Sequence, residues 1–235
     1  MPADLLEVED IHTDIGQHHI LQGVSLRVRV DAVTVLLGRN GAGKTTTMRT
    51  IMGVLHPRQG VVRLDGRDIH TLPPYEIARL GIGYVPEGQG IFATLTVDEN
   101  LRVAVLDEGP DTRRRLAHCF QLFPDLARFR HARAGTLSGG QKQMLAIARA
   151  FINPTRLLLI DEPSKGLAPI IVEHLIEALG AMKQHTTVLL VEQNFAMASR
   201  LADEFYLIDD GRTVRHGAMA ALAVDHELKK KYLGL

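Results

Sequence analysis

Cysteine, net charge and long apolar runs are all scarce in this sequence, and each shortage removes a class of protein. The single cysteine among 235 residues, Cys119, has no partner for an internal disulfide, which fits a reducing compartment better than secretion. Lys plus Arg number 27 and Asp plus Glu number 27, so the formal net charge is zero. The chain therefore lacks the field that non-specific nucleic-acid binding requires, and no nucleic-acid partner is expected. No apolar run approaches the ~18 residues of a membrane span, so any contact with a bilayer must go through a partner or a surface patch. The opening MPADLLEVED is acidic where a signal peptide is basic, and it reads as mature protein. Metal-ligand spacing is missing too. The 11 histidines are scattered, His18-His19 is an adjacent pair, and His118-Cys119 has no second cysteine. Cys119 itself reads as a small core or interface residue rather than a nucleophile, since nothing near it in sequence activates it.

What is present is ordinary globular material. Hydrophobic residues make up 46% and charged residues 23%, enough to bury a core. At roughly 150 residues per domain the length allows one large domain or one and a half. Composition alone therefore predicts a soluble, cytoplasmic, neutral protein. Strand-like runs alternate with helical ones, which argues for the α/β class. Leu5 to Ile11, Ser25 to Val30 and Val61 to Leu64 alternate apolar and polar residues as one-sided antiparallel strands do. Val33 to Leu37, Leu157 to Ile160 and Val188 to Val191 are solidly apolar, as central parallel strands buried on both faces are. The stretch from Leu95 to Leu137 reads as a helical insert, with helical spacing over Val97 to Leu106 and Arg113 to Phe123. Pro73-Pro74 starts a helix over Tyr75 to Leu80. The tail after Gly217 forms one or two short helices, with Lys229, Lys230 and Lys231 in the last turn, where cations suit the helix dipole.

The run VTVLL leads directly into Gly38-Arg39-Asn40-Gly41-Ala42-Gly43-Lys44-Thr45, which fits G-x-x-x-x-G-K-[ST], and helix-compatible Thr46 to Met52 follow. Glycines let successive N–H groups converge on phosphate oxygens, and the helix N-terminus adds its dipole. Lys44 supplies a point charge for the β and γ phosphates, while the Thr45 hydroxyl holds Mg²⁺. The apolar run LLLI ends in Asp161-Glu162, at the crevice where ligands of open α/β sheets bind. Asp161 is expected to bind Mg²⁺ through water, and Glu162 to act as general base on the attacking water.

Leu137-Ser138-Gly139-Gly140-Gln141 precedes a second helical run, Lys142 to Phe151. Ser138, Gly139 and Gly140 thus make a second helix N-terminus able to hold an anion. One nucleotide does not need two such sites on one chain, and a head-to-tail dimer with ATP at its interface resolves the surplus. LSGGQ, the Asp161-Glu162 pair downstream and the phosphate loop upstream together resemble the ATP-binding cassette (ABC) ATPases that drive membrane transporters, over essentially the whole chain.

The resemblance narrows further. Gly83-Tyr84-Val85-Pro86-Glu87-Gly88, Glu162-Pro163-Ser164-Lys165-Gly166-Leu167-Ala168-Pro169 and Val191-Glu192-Gln193-Asn194 look like the ATPase subunits of branched-chain amino-acid uptake systems. Most cassettes have Gln where Glu87 stands, Asp where Ala168 stands and His where Gln193 stands. A urea or short-amide group shares part of this pattern and stays open as a competitor. So do a non-transport cassette module in translation or DNA repair and a subunit that binds ATP without cleaving it. The resemblance implies one cassette over 1–235, a P-loop NTPase with a mixed central sheet, an antiparallel β subdomain and a helical subdomain. Residues 1–86 and 135–235 would form the catalytic core with its β subdomain, and about 87–134 the helical one. It implies ATP and Mg²⁺, with Glu87 beside the metal and Gln193 donating a hydrogen bond near the γ-phosphate. The partners implied are a second ATPase subunit, two membrane permeases and, indirectly, an extracytoplasmic solute-binding protein. The pair would be a heterodimer in vivo and a homodimer when isolated, peripheral on the cytoplasmic face of the cell membrane. Two positions depart from the pattern. Ile15, before Gly16, stands where an aromatic usually stacks on adenine; its aliphatic packing replaces the ring only in part, His12, His18 or His19 is an alternative, and base selectivity should be modest. Gln89 stands where Arg is common.

Overall fold

The computed structural model describes residues 4–234. A six-stranded sheet forms the centre. Its strands are β3 (Val33–Leu37), β6 (Ile82–Val85), β7 (Leu157–Asp161), β8 (Thr187–Val191), β9 (Glu204–Asp209) and β10 (Arg212–Ala218), in the order β10-β9-β3-β8-β7-β6. Neighbours from β9 to β6 pair in parallel, and β10 closes the edge antiparallel, so the sheet is mixed. A four-stranded antiparallel sheet, β2-β1-β4-β5, is built from β1 (Asp4–Ile15), β2 (His18–Arg29), β4 (Gln59–Leu64) and β5 (Arg67–Asp68).

All five residues of β3, of β7 and of β8 are buried, as their unbroken apolar runs require. Alternate side chains of these strands serve two different cores. Val33, Val35 and Leu37 with Leu158, Ile160, Val188 and Leu190 face the larger helical layer. Leu36, Leu157, Leu159, Leu189 and Val191 face the β1–β2 hairpin and the helix α1 (Lys44–Ile51). Helix α2 (Pro74–Arg79) starts with proline at its first turn and buries Ile77 in this second core.

The segment between Val85 and Leu137 contributes no strand to either sheet. It carries α3 (Val97–Val103), α4 (Pro110–Leu122) and α5 (Pro124–Arg128), then a 3₁₀ turn at Ala134–Thr136. Helix α3 starts with a reciprocal Thr96–Glu99 capping box and ends at Val103, short of the expected Leu106, because the chain bends there and the Leu106 N–H donates to Asn153 instead. Cys119 is wholly buried in α4, and burial pushes its thiol up to about 12, so it is the inert core residue its surroundings predicted. Helices α6 (Gly139–Phe151), α7 (Pro169–Met182), α8 (Phe195–Leu201), α9 (Met219–Val224) and α10 (His226–Leu228) complete the chain, and a π-helical turn over Lys229–Leu233 carries the three lysines. Among the described residues no helix is long and apolar enough to cross a membrane.

Candidate functional site

The loop from Gly38 to Thr45 joins the C-terminal end of β3 to α1, and its backbone tolerates little else. Gly38 has φ +152°, and a Cβ there would lie 2.2 Å from the Ile208 carbonyl oxygen. At Gly43, φ +109°, a Cβ would press on Leu21 at 2.8 Å, which fixes how closely the β1–β2 hairpin approaches the loop. Arg39, Asn40 and Gly41 are exposed, whereas Ala42 and Thr46 are buried. Lys44 is buried, and its Nζ donates to the carbonyls of Gly38 at 2.8 Å and Arg39 at 3.0 Å. Burial lowers its pKa, against the opposing pull of Glu162 and Asp161.

Asp161 ends β7 and Glu162 follows it, so parallel pairing with β3 through β8 brings both to the loop. The Thr45 hydroxyl donates to Asp161 Oδ1 at 3.2 Å, while Asp161 Oδ2 is buried with no partner. Burial, reinforced by the charges of Glu162 and Glu87, pushes this carboxyl up to about 6. Glu162 adopts a left-handed backbone, φ +48°, directly before Pro163. That conformation is strained for a non-glycine residue and is a feature of functional sites. Its Oε1 accepts from Gln193 Nε2 and lies 4.0 Å from Lys44 Nζ; its Oε2 lies 3.5 Å from Lys165 Nζ. Lys165 also donates to Glu87 Oε1 at 2.6 Å. Glu162 and Glu87 thus meet Lys44 and Lys165, and Asp161, paired with neither lysine, adds a third carboxylate, an excess of acidic groups suited to a divalent cation. Among the described residues no three His, Cys, Asp or Glu side chains could hold a metal by themselves. Mg²⁺ sites that rely on water and phosphate oxygens need no such cage, and the orphaned Asp161 Oδ2 beside the Thr45 hydroxyl fits one.

Ser138 caps α6, its Oγ accepting from Gln141 N–H at 3.3 Å while Gln141 Oε1 accepts from Ser138 N–H at 3.0 Å. Gln141 Nε2 donates to Asp125, which ties this side chain to α5 as well as to the cap. Gly140 has no room for a Cβ, which would sit 2.5 Å from a methyl of Ile171. Gln89 reaches this loop, donating to the Gly139 carbonyl at 3.4 Å. Among the described residues no hydrogen bond or ion pair joins 138–141 to 38–46. Ile15 sits at the hairpin tip, 41% exposed. Of the three histidines considered beside it, His12 is held by Asp10 and His19 by Asp14, while His18 is exposed.

Two charged residues of this site, Lys165 and Glu192, stand inside motifs quoted from the sequence without a role of their own. Glu192 carried the better signal: an ionisable residue directly after four apolar ones at the end of a buried strand.

A mostly parallel sheet with a glycine-rich phosphate loop between a central strand and a helix, and an acidic pair at the end of another strand of the same sheet, is the architecture of a P-loop nucleoside triphosphatase. A model of the ABC transporter family matches residues 21–165. The chain is 39% identical over 232 residues to the high-affinity branched-chain amino acid transport ATP-binding protein BraG of Pseudomonas aeruginosa, covering 98% of this chain and 100% of that one. It is 33% identical over 234 residues to the probable branched-chain amino acid transport ATP-binding protein LivF of Archaeoglobus fulgidus, covering 98% and 99%. A solved ATP-binding subunit of an ABC transporter superposes with a TM-score of 0.82 at 31% identity, covering 98% and 96%. The chain belongs to the ABC transporter family as one of its ATP-binding, ATP-hydrolysing subunits.

Proposed function

We propose that this chain energises an importer of branched-chain amino acids from the cytoplasmic face of the cell membrane, in a head-to-tail pair with a second ATPase subunit and bound to two permeases. The observation that carries the chemistry is the meeting of the phosphate loop, Asp161-Glu162 and Gln193 at the C-terminal ends of β3, β7 and β8. The amino-acid cargo rests on the full-length likeness to two proteins named for branched-chain transport.

In this reading the amides of Gly41 to Thr46 and the ammonium of Lys44 hold the phosphates, Lys44 exchanging the Gly38 and Arg39 carbonyls for phosphate oxygens. Ser138, Gly139 and Gly140 of the second cassette close on the same nucleotide. Mg²⁺ would be held by Thr45 Oγ1 and, through water, by Asp161 and Glu87, where it neutralises phosphate charge. Glu162 takes the proton of the attacking water, and Gln193 orients that carboxylate and donates to the departing γ-phosphoryl group. A cleft of about 900 Å³, bordered by Arg79 and Tyr84 on one side and Leu106, Glu108 and Arg115 on the other, lies between the sheet edge and the helical segment. Its wall includes Ile82, Gly83 and Tyr84 of β6, the strand that runs on toward Glu87, and this makes it the seat for a permease segment whose movement follows the nucleotide.

The test is co-purification from membranes followed by uptake assays with leucine, urea and short amides. Recovery with two permeases and uptake of leucine supports the reading; uptake of urea or amides alone moves the cargo to the competing class.

A further inference from the structure

Glu192 follows β8 and is 2% exposed. Its carboxylate is satisfied wholly by neutral donors. Oε1 accepts from the Ser164 N–H at 2.9 Å, and Oε2 from the Ser164 hydroxyl at 2.9 Å and from the N–H groups of Gln193 and Asn194 at 3.1 Å each. A buried carboxylate without a counter-ion is costly unless its oxygens are saturated, so these four bonds hold it and it holds them. Burial raises its pKa and the hydrogen bonds oppose the rise.

Three of the four donors are backbone amides, and they belong to two loops. One loop, after β7, carries Glu162; the other, after β8, carries Gln193. Pairing between these strands ends at Asp161 opposite Val191. One further bond, Glu162 N–H to the Val191 carbonyl at 2.9 Å, lies beyond that pair. The ladder therefore stops short of the two side chains that must meet. Glu162 also needs its left-handed φ of +48° held from the far side of Pro163, and Ser164 is the first residue there with an N–H to hold.

We infer that Glu192 is a positioning residue for ATP hydrolysis: its carboxylate clamps the loops 162–165 and 192–194 together and so sets Gln193 against Glu162. The inference rests on Glu162 acting as general base. A merely structural carboxylate would contribute to stability alone; a clamp also sets the rate of cleavage without touching the nucleotide.

The experiment uses the full chain and single-turnover ATP cleavage, with ATP affinity, thermal midpoint and amide hydrogen exchange measured alongside. Glu192→Gln puts an NH₂ group against a donor, and is expected to slow cleavage about tenfold or more while ATP affinity stays within about threefold. Exchange at Ser164, Gln193 and Asn194 should rise, with the amides of β3 unchanged. Ser164→Ala removes one of the four bonds and should slow cleavage about threefold with faster exchange at Gln193, a result that stands even if Glu192→Gln does not fold. Cleavage within about twofold of wild type in both variants, or rate and ATP affinity falling together, overturns the inference. Glu162→Gln is run in parallel. If it cleaves at the wild-type rate, the general-base reading fails; if it alone is slow, only the clamp fails.

Discussion

Asp161 and Glu162 are neighbours in the chain whose surroundings send them to different tasks. Asp161 is sealed at the end of β7 with one oxygen on Thr45 and the other unpartnered, the carboxylate proposed to bind Mg²⁺ through water. Glu162 faces Gln193 and two lysines, which hold and aim its side chain. Glu162→Gln should therefore lower turnover by about 10²–10⁴-fold with ATP binding preserved, whereas Lys44→Ala should weaken ATP binding itself; titration calorimetry beside a phosphate-release assay separates the two. The raised carboxyl of Asp161 has a consequence for stability. The folded chain keeps that proton up to about pH 6, while the unfolded chain gives it up near the ordinary value of 3.8. Between those values the folded state binds more protons, so metal-free stability falls as pH rises through the window. Asp161→Asn removes this slope. In magnesium-free denaturant unfolding, stability of the variant relative to wild type should rise between pH 4 and 6 by on the order of 2 kcal/mol, and a flat difference would refute the assignment.

Elements place these residues where single positions cannot. The strands β3, β7 and β8 are short and buried on both faces, so each end is fixed by packing from two cores at once. Gly38 lies at such an end. Gly38→Ala should cost about 2–4 kcal/mol, read from the denaturation midpoint, because the backbone of β9 blocks the added methyl and φ +152° resists any side chain. Much at this scale is legible in the sequence, since VTVLL, LLLI and VLLV are contiguous runs and the phosphate loop and both cap motifs are local spacings. β9 and β10 carry weaker signals: EFYLID mixes acids with aromatics, and RTVRHGA lies on the exposed edge. The charged contacts are harder to foresee. Lys165 meets Glu87 from 78 residues away and Glu192 meets Ser164 from 28, distances over which only the folded sheet brings partners together.

On the scale of the whole molecule, a neutral chain with one cysteine, and among its described residues no helix long and apolar enough to cross a membrane, is an ATP-hydrolysing subunit of a transporter family. The two helix starts proposed to bind anions, at Lys44 and Gly139, make no hydrogen bond or ion pair with each other among the described residues, and in the proposed pair a second cassette brings the complementary halves together. The cleft between the sheet edge and the helical segment is the proposed seat of a permease segment. The most direct test is ATP-driven leucine uptake into proteoliposomes holding the complex co-purified with this chain, compared with the same complex carrying Glu162→Gln. The account predicts leucine uptake that needs ATP and is lost in the variant while ATP still binds. Leucine uptake at equal rates in both, or none in the wild-type complex while urea or an amide is taken up, would contradict it.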